Sequence, residues 1–198
     1  MGEVHQEPFR EARPGVERIF RDAGVLKEGH FLLNSGLHSG LYWEKFRVLQ
    51  FPEYTGRLCA IIAEHFSGRN PSVVVGPTTG GIILSYETAR HLSVRGLFAE
   101  KDGDRRVLRR DFTISAGERV LIVDDILTTG KSVFETIEAV RALGGDIIGI
   151  GVLVDRSEKD LDFGTELFSC LRAPTAAYPP ELCPLCAAGV PLTKPGGA

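Results

Sequence analysis

Short, unbroken runs of apolar residues alternate along this chain with longer stretches in which apolar residues recur at helical spacing. Residues 73–75 and 120–123 are runs of the first kind, which are typical of parallel strands covered on both faces. Residues 53–66 and 133–143 are stretches of the second kind and predict amphipathic helices. Strands that alternate with helices indicate an α/β fold with a doubly wound parallel sheet.

The same pattern predicts the flanking elements. A helix is expected over residues 14–23, and strands with a turn at Ser39-Gly40 are expected over residues 29–46. The remaining predictions are a helix from the Gly80-Gly81 turn to about residue 92, and strands at 97–99, 146–154 and 167–171.

One domain is predicted over residues 14–198, because no linker interrupts the pattern and the length suits one substantial core. Residues 1–13 are polar and show little pattern, so a flexible N-terminus is expected. Residues from about 24 to 50, together with the proline-rich C-terminal tail, are expected to form a small hood over the carboxyl edge of the sheet.

The segment that follows the strand at 120–123 carries the strongest candidate chemistry. Asp124 and Asp125 lead into a turn rich in hydroxyl groups and glycine, and then into a helix. Open α/β sheets bind ligands at the carboxyl ends of their strands, and free N–H groups at a helix N-terminus attract anions. Gly130 allows the backbone a close approach. The predicted phosphate-binding segment comprises Ile126, Leu127, Thr128, Thr129, Gly130, Lys131 and Ser132.

Two other interpretations of this segment fit less well. The ending Gly130-Lys131-Ser132 resembles a nucleotide-triphosphate loop, but that motif needs a glycine five positions earlier, where Asp125 stands. The acid pair would also suit a helix cap, yet one aspartate is enough for a cap and the hydroxyl-rich turn would stay unexplained. The two carboxylates suit a ribose diol, or a magnesium ion carried in on a pyrophosphate.

Residues 123–132, Val-Asp-Asp-Ile-Leu-Thr-Thr-Gly-Lys-Ser, resemble the phosphoribosyl-pyrophosphate motif of type I phosphoribosyltransferases. Three further stretches narrow the resemblance to the orotate phosphoribosyltransferases. They are Gly-His-Phe-Leu-Leu-Asn-Ser-Gly-Leu-His-Ser at 29–39, Gly-Pro-Thr-Thr-Gly-Gly at 76–81 and Val-Asp-Arg-Ser at 154–157. The resemblance extends from about Gly24 to Pro191.

The resemblance implies transfer of ribose 5-phosphate from phosphoribosyl pyrophosphate to orotate, with Mg²⁺ as cofactor, in de novo pyrimidine synthesis. The products would be orotidine 5′-monophosphate and pyrophosphate. Residues 128–132 would then hold the 5-phosphate, while Asp124 and Asp125 would face the ribose hydroxyls. Lys101 matches a lysine of the family, and catalytic roles are expected for Lys101, Asp124 and Asp125.

Two further sites complete the expected active site. Thr79, Gly80 and Gly81 lie in a strand-to-helix turn that suits backbone donors meeting pyrophosphate; a simple connection would need only one glycine. Arg156 lies just past the strand at 146–154, and its planar guanidinium suits binding of the orotate carboxylate. The alternative for Arg156 is a surface ion pair with a neighbouring acid, Asp155 or Glu158.

The resemblance also implies orotate contacts from Thr128 and from Phe31, with the backbone of residues 34–36 as a lid. Two positions depart from the family's common pattern. Asn34 stands where many members have a lysine, and Glu100 replaces an arginine before Lys101. The usual loop histidine is missing, and the available substitutes for contacting pyrophosphate are Arg105, Arg106, Arg109 and Arg110. The alternative for these arginines is a solvated hairpin. In the family this loop reaches into the partner's site, which implies a homodimer.

Charge and cysteine content restrict the remaining classes. A net charge of −3 gives no basic field for nucleic acid, and no apolar segment is long enough to span a bilayer, so a cytoplasmic protein is expected. Cys59 and Cys170 are expected to be core thiols. Cys183 and Cys186 form a single C-x-x-C; zinc would need two more ligands, for example from a partner subunit, and the alternative is a reduced structural turn.

Two alternative functions stay open. A type I enzyme for a purine base fits less well, because a purine offers Arg156 no carboxylate. A non-catalytic phosphoribosyl-pyrophosphate sensor would be expected to carry a DNA-binding helix pair or a basic stripe, and neither is visible.

His30 and His38 are interpreted as turn-stabilising rather than catalytic.

Overall fold

A computed structural model describes residues 11–12, 15–33, 35–173 and 176–195. The strands are β1 (Glu11–Ala12), β2 (Leu26–Leu32), β3 (His38–Trp43), β4 (Val73–Pro77), β5 (Arg95–Asp102), β6 (Arg105–Leu108), β7 (Arg119–Leu127), β8 (Asp146–Asp155) and β9 (Leu167–Arg172). The α-helices are α1 (Val16–Asp22), α2 (Phe46–Leu49), α3 (Pro52–Ser67), α4 (Gly80–Leu92), α5 (Lys131–Ala142) and α6 (Pro184–Ala187), and a 3₁₀ turn spans Pro180–Leu182.

Seven strands form the central sheet in the order β1-β9-β8-β7-β4-β5-β6. The five inner strands are parallel, and the two edge strands, β1 and β6, run antiparallel to their neighbours. This arrangement confirms the predicted doubly wound α/β sheet. The three central strands, β8, β7 and β4, are buried almost throughout, which explains their continuous apolar runs.

Helices cover both faces of the sheet. On one face, α1 to α4 bury a core that includes Phe20, Leu58 and Phe66. On the other face, α5 packs Val133 and Ile137 against the strands. Cys59 and Cys170 lie in the first core, as predicted.

The hood consists of the antiparallel pair β2–β3 and the C-terminal tail, residues 176–195. The tail is held by main-chain hydrogen bonds: Tyr178 exchanges two of 2.8 Å with His38, Leu32 donates one of 2.9 Å to Thr193, and Thr193 donates one of 2.8 Å to His30. Because both partners contribute backbone groups, the hood behaves as a small sheet extended by the tail.

The predicted turn at Ser39-Gly40 is wrong, because both residues lie inside β3. The chain reverses at residues 33–37 instead, where Leu33 donates a 2.8 Å hydrogen bond to Leu37 and Gly36 adopts a positive φ of 83°. Such a φ is easy only for glycine, so Gly36 takes the turn position.

Two further predictions concern the flexible N-terminus and the lid expected from the backbone of residues 34–36. The flexible N-terminus falls mainly on residues outside the described part of the chain, although Glu11 and Ala12 pair with β9. Asn34 also lies outside the described residues. Within the described part, no helix combines the length and the apolarity that a membrane crossing requires.

Candidate active site

The sequence-predicted site residues line up along one edge of the sheet. Neighbouring strands β8, β7, β4 and β5 all end there. Arg156 follows β8, residues 128–132 follow β7, residues 79–81 follow β4, and Lys101 lies near the end of β5. Parallel strands bring their carboxyl ends to the same edge, so four separate segments meet in one place.

The turn between β7 and α5 exposes a surface that suits an anion. Thr128, Thr129 and Lys131 are exposed, and α5 begins at Lys131. The amide groups in the first turn of a helix have no partner within the helix and favour an anion. Gly130 adopts φ 76°, and a Cβ there would come within 3.0 Å of the side chains of Leu161 and Phe163. Glycine is therefore required both by the backbone conformation and by the packing beneath it.

Asp124 lies deep in this edge. Its carboxylate accepts a 2.6 Å hydrogen bond from the Ser132 hydroxyl and a 2.8 Å bond from the Asp125 amide. Burial, and to a smaller extent the neighbouring Asp125, raises the pKa of Asp124 to about 7 against the opposing effect of the Ser132 hydrogen bond. Asp124 can therefore hold or release a proton close to neutral pH.

Asp125 is equally buried and pairs with a lysine that sequence reasoning missed. The ammonium of Lys45 lies 3.0 Å from Oδ1 and 2.9 Å from Oδ2 of this carboxylate. Lys45 follows β3, eighty positions before its partner, and no local motif distinguishes it from other surface lysines. The pair connects the start of α2 to strand β7.

The turn at residues 78–81 is closely packed. Gly80 and Gly81 are buried, whereas Thr79 is exposed. A Cβ on Gly80 would collide with the Asp125 carboxylate, and one on Gly81 would come within 2.8 Å of the Gly76 carbonyl carbon. Close packing therefore also explains why glycine occupies both positions, which the sequence interpretation of this turn did not include.

A cavity of about 270 Å³ opens between this edge and the β5–β6 hairpin. Its lining residues are Lys101, Arg106, Ile126, Thr128, Thr129, Gly130, Lys131, Ser132 and Glu135. Cationic side chains, hydroxyl groups and a helix N-terminus face it together. We call this the phosphate cavity.

Arg106 is the hairpin arginine that reaches the phosphate cavity. Its guanidinium donates to the carbonyl and hydroxyl oxygens of Thr78, at 3.3 and 3.2 Å, and lies 3.4 Å from the Glu135 carboxylate. The other three form the solvated hairpin of the alternative interpretation: Arg105 and Arg109 pair with Asp102, and Arg110 pairs with Glu100. Only the sheet pairing, which places Arg106 opposite Lys101, separates it from its neighbours.

A second cavity, of about 570 Å³, lies between the same turn and the hood. Its lining residues are Leu32, Leu33, Ser35, Leu37, Tyr42, Thr128, Thr129, Arg156, Ser157, Glu158, Lys159, Leu161, Ala177 and Pro195. We call it the hood cavity. Thr128 and Thr129 line both cavities, so a ligand that fills one reaches the entrance of the other.

Arg156 is the more buried of the two cationic side chains that line the hood cavity, the other being Lys159. Burial lowers its pKa to about 10, and its guanidinium lies 6.0 Å from the centre of the Trp43 ring. The neighbouring Asp155 contacts Ser157 through a 2.6 Å hydrogen bond and Arg172 at 3.7 Å. A partly desolvated guanidinium beside apolar walls is suited to a planar carboxylate.

Phe31 supports the hood cavity from behind. Its ring is 7% exposed and packs 5.7 Å from the ring of Tyr42, and Tyr42 faces the cavity. Sequence reasoning missed Tyr42 and the leucines of the hood, because apolar residues at alternating strand positions carry no signal that separates a ligand wall from a core.

Comparisons with known proteins agree with this geometry. The phosphoribosyl transferase domain family matches residues 51–171. The chain is 50% identical to an orotate phosphoribosyltransferase of Pelotomaculum thermopropionicum over 93% of this chain and 97% of that one. It is 49% identical to one of Caldanaerobacter subterraneus over 91% and 95%.

Solved structures share the fold. The crystal structure of orotate phosphoribosyltransferase from Aeropyrum pernix matches with a TM-score of 0.64 and 27% identity, covering 79% of this chain and 93% of that one. An adenine phosphoribosyltransferase from Thermoanaerobacter pseudethanolicus matches with a TM-score of 0.57 and 22% identity over 67% and 88%, so the fold alone does not distinguish the base.

The fold and the phosphate cavity thus define a type I phosphoribosyltransferase. Within that class, the identity along nearly the whole chain decides the branch. The chain belongs to the orotate phosphoribosyltransferase family.

Proposed function

We propose that this protein transfers ribose 5-phosphate from phosphoribosyl pyrophosphate to orotate, releasing pyrophosphate and orotidine 5′-monophosphate in de novo pyrimidine synthesis. One observation carries the proposal: the phosphate cavity and the hood cavity meet at Thr128 and Thr129. A sugar that spans this junction would present its 5-phosphate and pyrophosphate to one side and its C1 to a base on the other.

The phosphate cavity suits the donor substrate. The α5 N-terminus and the hydroxyls of residues 128–132 are the groups that would hold the 5-phosphate. Lys101 and Arg106 add two cationic side chains at the hairpin side. Because negative charge grows on departing pyrophosphate, we assign these two side chains to stabilise the leaving group.

The hood cavity suits orotate. Arg156 offers two parallel N–H groups to the carboxylate of orotate, and Tyr42 with the hood leucines offers an apolar wall for the pyrimidine ring. A purine carries no carboxylate and would leave the guanidinium of Arg156 without that partner. The cavity therefore favours orotate within its class.

The chemical step breaks the bond between C1 of the ribose and the pyrophosphate oxygen and forms the bond between C1 and the orotate ring nitrogen. The proton of that nitrogen leaves with the pyrophosphate. Positive charge develops on the sugar in between. Asp124 and Asp125 are assigned to the ribose side, where the buried, hydrogen-bonded Asp124 and the Lys45–Asp125 pair keep a fixed distribution of charge. The enzyme forms no covalent intermediate in this scheme; positioning and electrostatics carry the rate.

Mg²⁺ is the proposed cofactor. Carboxylate oxygens are ligands that this ion prefers, and Asp124 and Asp125 supply them at the site. Both carboxylates already have protein partners, Ser132 and Lys45, so a metal carried on the pyrophosphate of the substrate fits better than a cage of protein ligands. When bound, Mg²⁺ would neutralise charge on the phosphate oxygens.

A homodimer in the cytoplasm is the proposed context. The substrates are soluble nucleotide precursors, and the protein offers an apolar surface for a second copy. Tyr86 is 70% exposed and Ile83 is 40% exposed, and both border a groove with Leu49 and Pro52. Light scattering during size-exclusion chromatography measures the assembly directly; a monomer at micromolar concentration would contradict this part.

The test of function is an assay with phosphoribosyl pyrophosphate, Mg²⁺ and one base at a time, following the pyrophosphate that is released. Turnover with orotate and none with adenine or hypoxanthine is expected. Turnover with a purine base would move the protein to another branch of the class. Binding of phosphoribosyl pyrophosphate without turnover of any base would favour the non-catalytic sensor.

A further inference from the structure

Four metal-ligating side chains meet inside the hood, outside both cavities. They are His30, His38, Cys183 and Cys186, and one ligand atom from each lies within 4.8 Å of the others. The histidines come from β2 and β3, and the cysteines lie at the start of α6, more than 140 positions later. The histidines therefore do more than stabilise a local turn.

Four distances within this cluster are close to those of a tetrahedral site. A zinc ion with ordinary bond lengths places two nitrogen ligands about 3.3 Å apart, and a nitrogen and a sulfur about 3.6 Å apart. His30 Nε2 lies 3.0 Å from His38 Nδ1, and the Cys183 sulfur lies 3.5 Å from His30 Nε2. The Cys186 sulfur lies 3.7 Å from His30 Nε2 and 3.2 Å from His38 Nδ1.

The orientation of His30 is fixed from its other side. Its Nδ1 donates a 2.8 Å hydrogen bond to the carbonyl of Val190. A neutral imidazole that donates through Nδ1 presents a lone pair at Nε2, which is the nitrogen that faces the cysteines. Histidine ligands of metal ions are commonly oriented by such a bond to a backbone carbonyl.

Burial and access also suit a structural metal. His30, His38 and Cys183 are at most 5% exposed, whereas Cys186 is exposed and leaves a route for entry. Four protein ligands complete a tetrahedral shell and leave no open position for a substrate, which is the pattern of structural zinc sites.

We propose that His30, His38, Cys183 and Cys186 bind one zinc ion that clamps the C-terminal tail onto the β2–β3 hairpin. All four ligands come from one chain, so the partner subunit that the sequence interpretation invoked is not needed. The same hairpin and tail supply Leu32, Tyr42 and Ala177 to the hood cavity. The metal would therefore hold that cavity's outer wall in place, independently of the reaction carried out beneath it.

The first measurement is the metal content of the tag-free protein purified under reducing conditions. Mass spectrometry of the metal is expected to find one zinc per chain in the wild type and none in the double variant Cys183→Ser/Cys186→Ser. Cys170→Ala is the matched control, because this thiol is buried in the main core, and it should retain the zinc. Iron as the bound metal, or zinc that persists in the double variant, would overturn the assignment.

A second measurement covers the case in which the double variant does not fold. Chelation of the wild type should release the zinc and lower Tm, and added Zn²⁺, but not Mg²⁺, should restore it. Co²⁺ added to the stripped protein should give the absorption of a tetrahedral thiolate complex. Failure of Co²⁺ and Zn²⁺ to bind, or a Cys183–Cys186 disulfide in the purified protein, would refute the proposal.

Discussion

The two cavities that meet at Thr128 and Thr129 are built in different ways. Most of the phosphate cavity comes from one continuous segment, residues 126–132, carried by a buried strand and the start of a helix. The hood cavity draws on the β2–β3 hairpin, the β7–α5 turn, the segment after β8 and the C-terminal tail. A site made of one segment depends mainly on its local backbone, whereas a site made of four depends on how those segments are held together.

The comparison predicts that the two substrates respond to different substitutions. Changes at the phosphate cavity should affect phosphoribosyl pyrophosphate and the chemical step, and changes in the hood should affect orotate alone. The following variants test that separation, beginning with the largest expected effect.

Arg106→Ala should lower kcat by about 100-fold or more, because it removes a cationic side chain that we assign to stabilise the departing pyrophosphate. Steady-state kinetics with both substrates varied measure this loss. Arg105→Ala is the matched control on the same hairpin, since Arg105 pairs with Asp102 in solvent, and it should behave like the wild type. Equal effects of the two variants would mean that Arg106 acts only within the hairpin.

Arg156→Ala should raise the orotate KM by about 30-fold to 100-fold, the value of a charge-assisted hydrogen-bonded pair of about 2–3 kcal/mol. The KM for phosphoribosyl pyrophosphate should change far less. Arg156→Lys keeps the charge without the planar fork and should lie in between. If both KM values rise alike, Arg156 does not bind the carboxylate.

Phe31→Leu should raise the orotate KM only a few-fold, because Phe31 supports Tyr42 rather than facing the cavity, and a similar-sized apolar replacement in a core costs about 1 kcal/mol. Tyr42→Leu, which removes the wall itself, should have the larger effect. The reverse order of the two variants would restore the direct orotate contact that the family resemblance implies for Phe31.

Of the four variants, Asp124→Asn should have the smallest effect. It should hardly change the stability of the fold at low pH and should raise it at high pH. The folded-state pKa of about 7 lies above the ordinary 3.8, so the folded protein keeps a proton that the unfolded chain has already released. This group's contribution to stability therefore falls as pH rises from about 4 to about 7. Asparagine cannot ionise and avoids that loss.

Thermal unfolding of wild type and Asp124→Asn across pH 5 to 8 measures the effect. The difference in Tm between the two proteins should widen in favour of the variant as pH rises from 5 to about 7 and level off above that, because all other carboxylates are common to both. A difference that is constant with pH would show that Asp124 is ionised throughout the range.

The sequence by itself determined the features that depend on residues close together along the chain. Continuous apolar runs at 73–75 and 120–123 predict buried parallel strands, because a strand covered on both faces has no polar side. The turn at 128–132 could be predicted for the same reason, because a helix N-terminus, hydroxyls and glycine, which together suit a phosphate, lie within one short segment. The predicted turn at Ser39-Gly40 failed because more than one short polar stretch in the hairpin can reverse the chain.

Only the tertiary structure decided which distant residues act together. Nothing near Lys45 marks it as the partner of Asp125, and nothing near Arg106 distinguishes it from the arginines beside it; sheet pairing makes the choice. Cys183 and Cys186 likewise lack a histidine nearby in the sequence, but the tail returns to the hairpin and brings them to His30 and His38. Contacts between distant segments depend on how those segments pack in three dimensions, and a one-dimensional pattern does not contain that information.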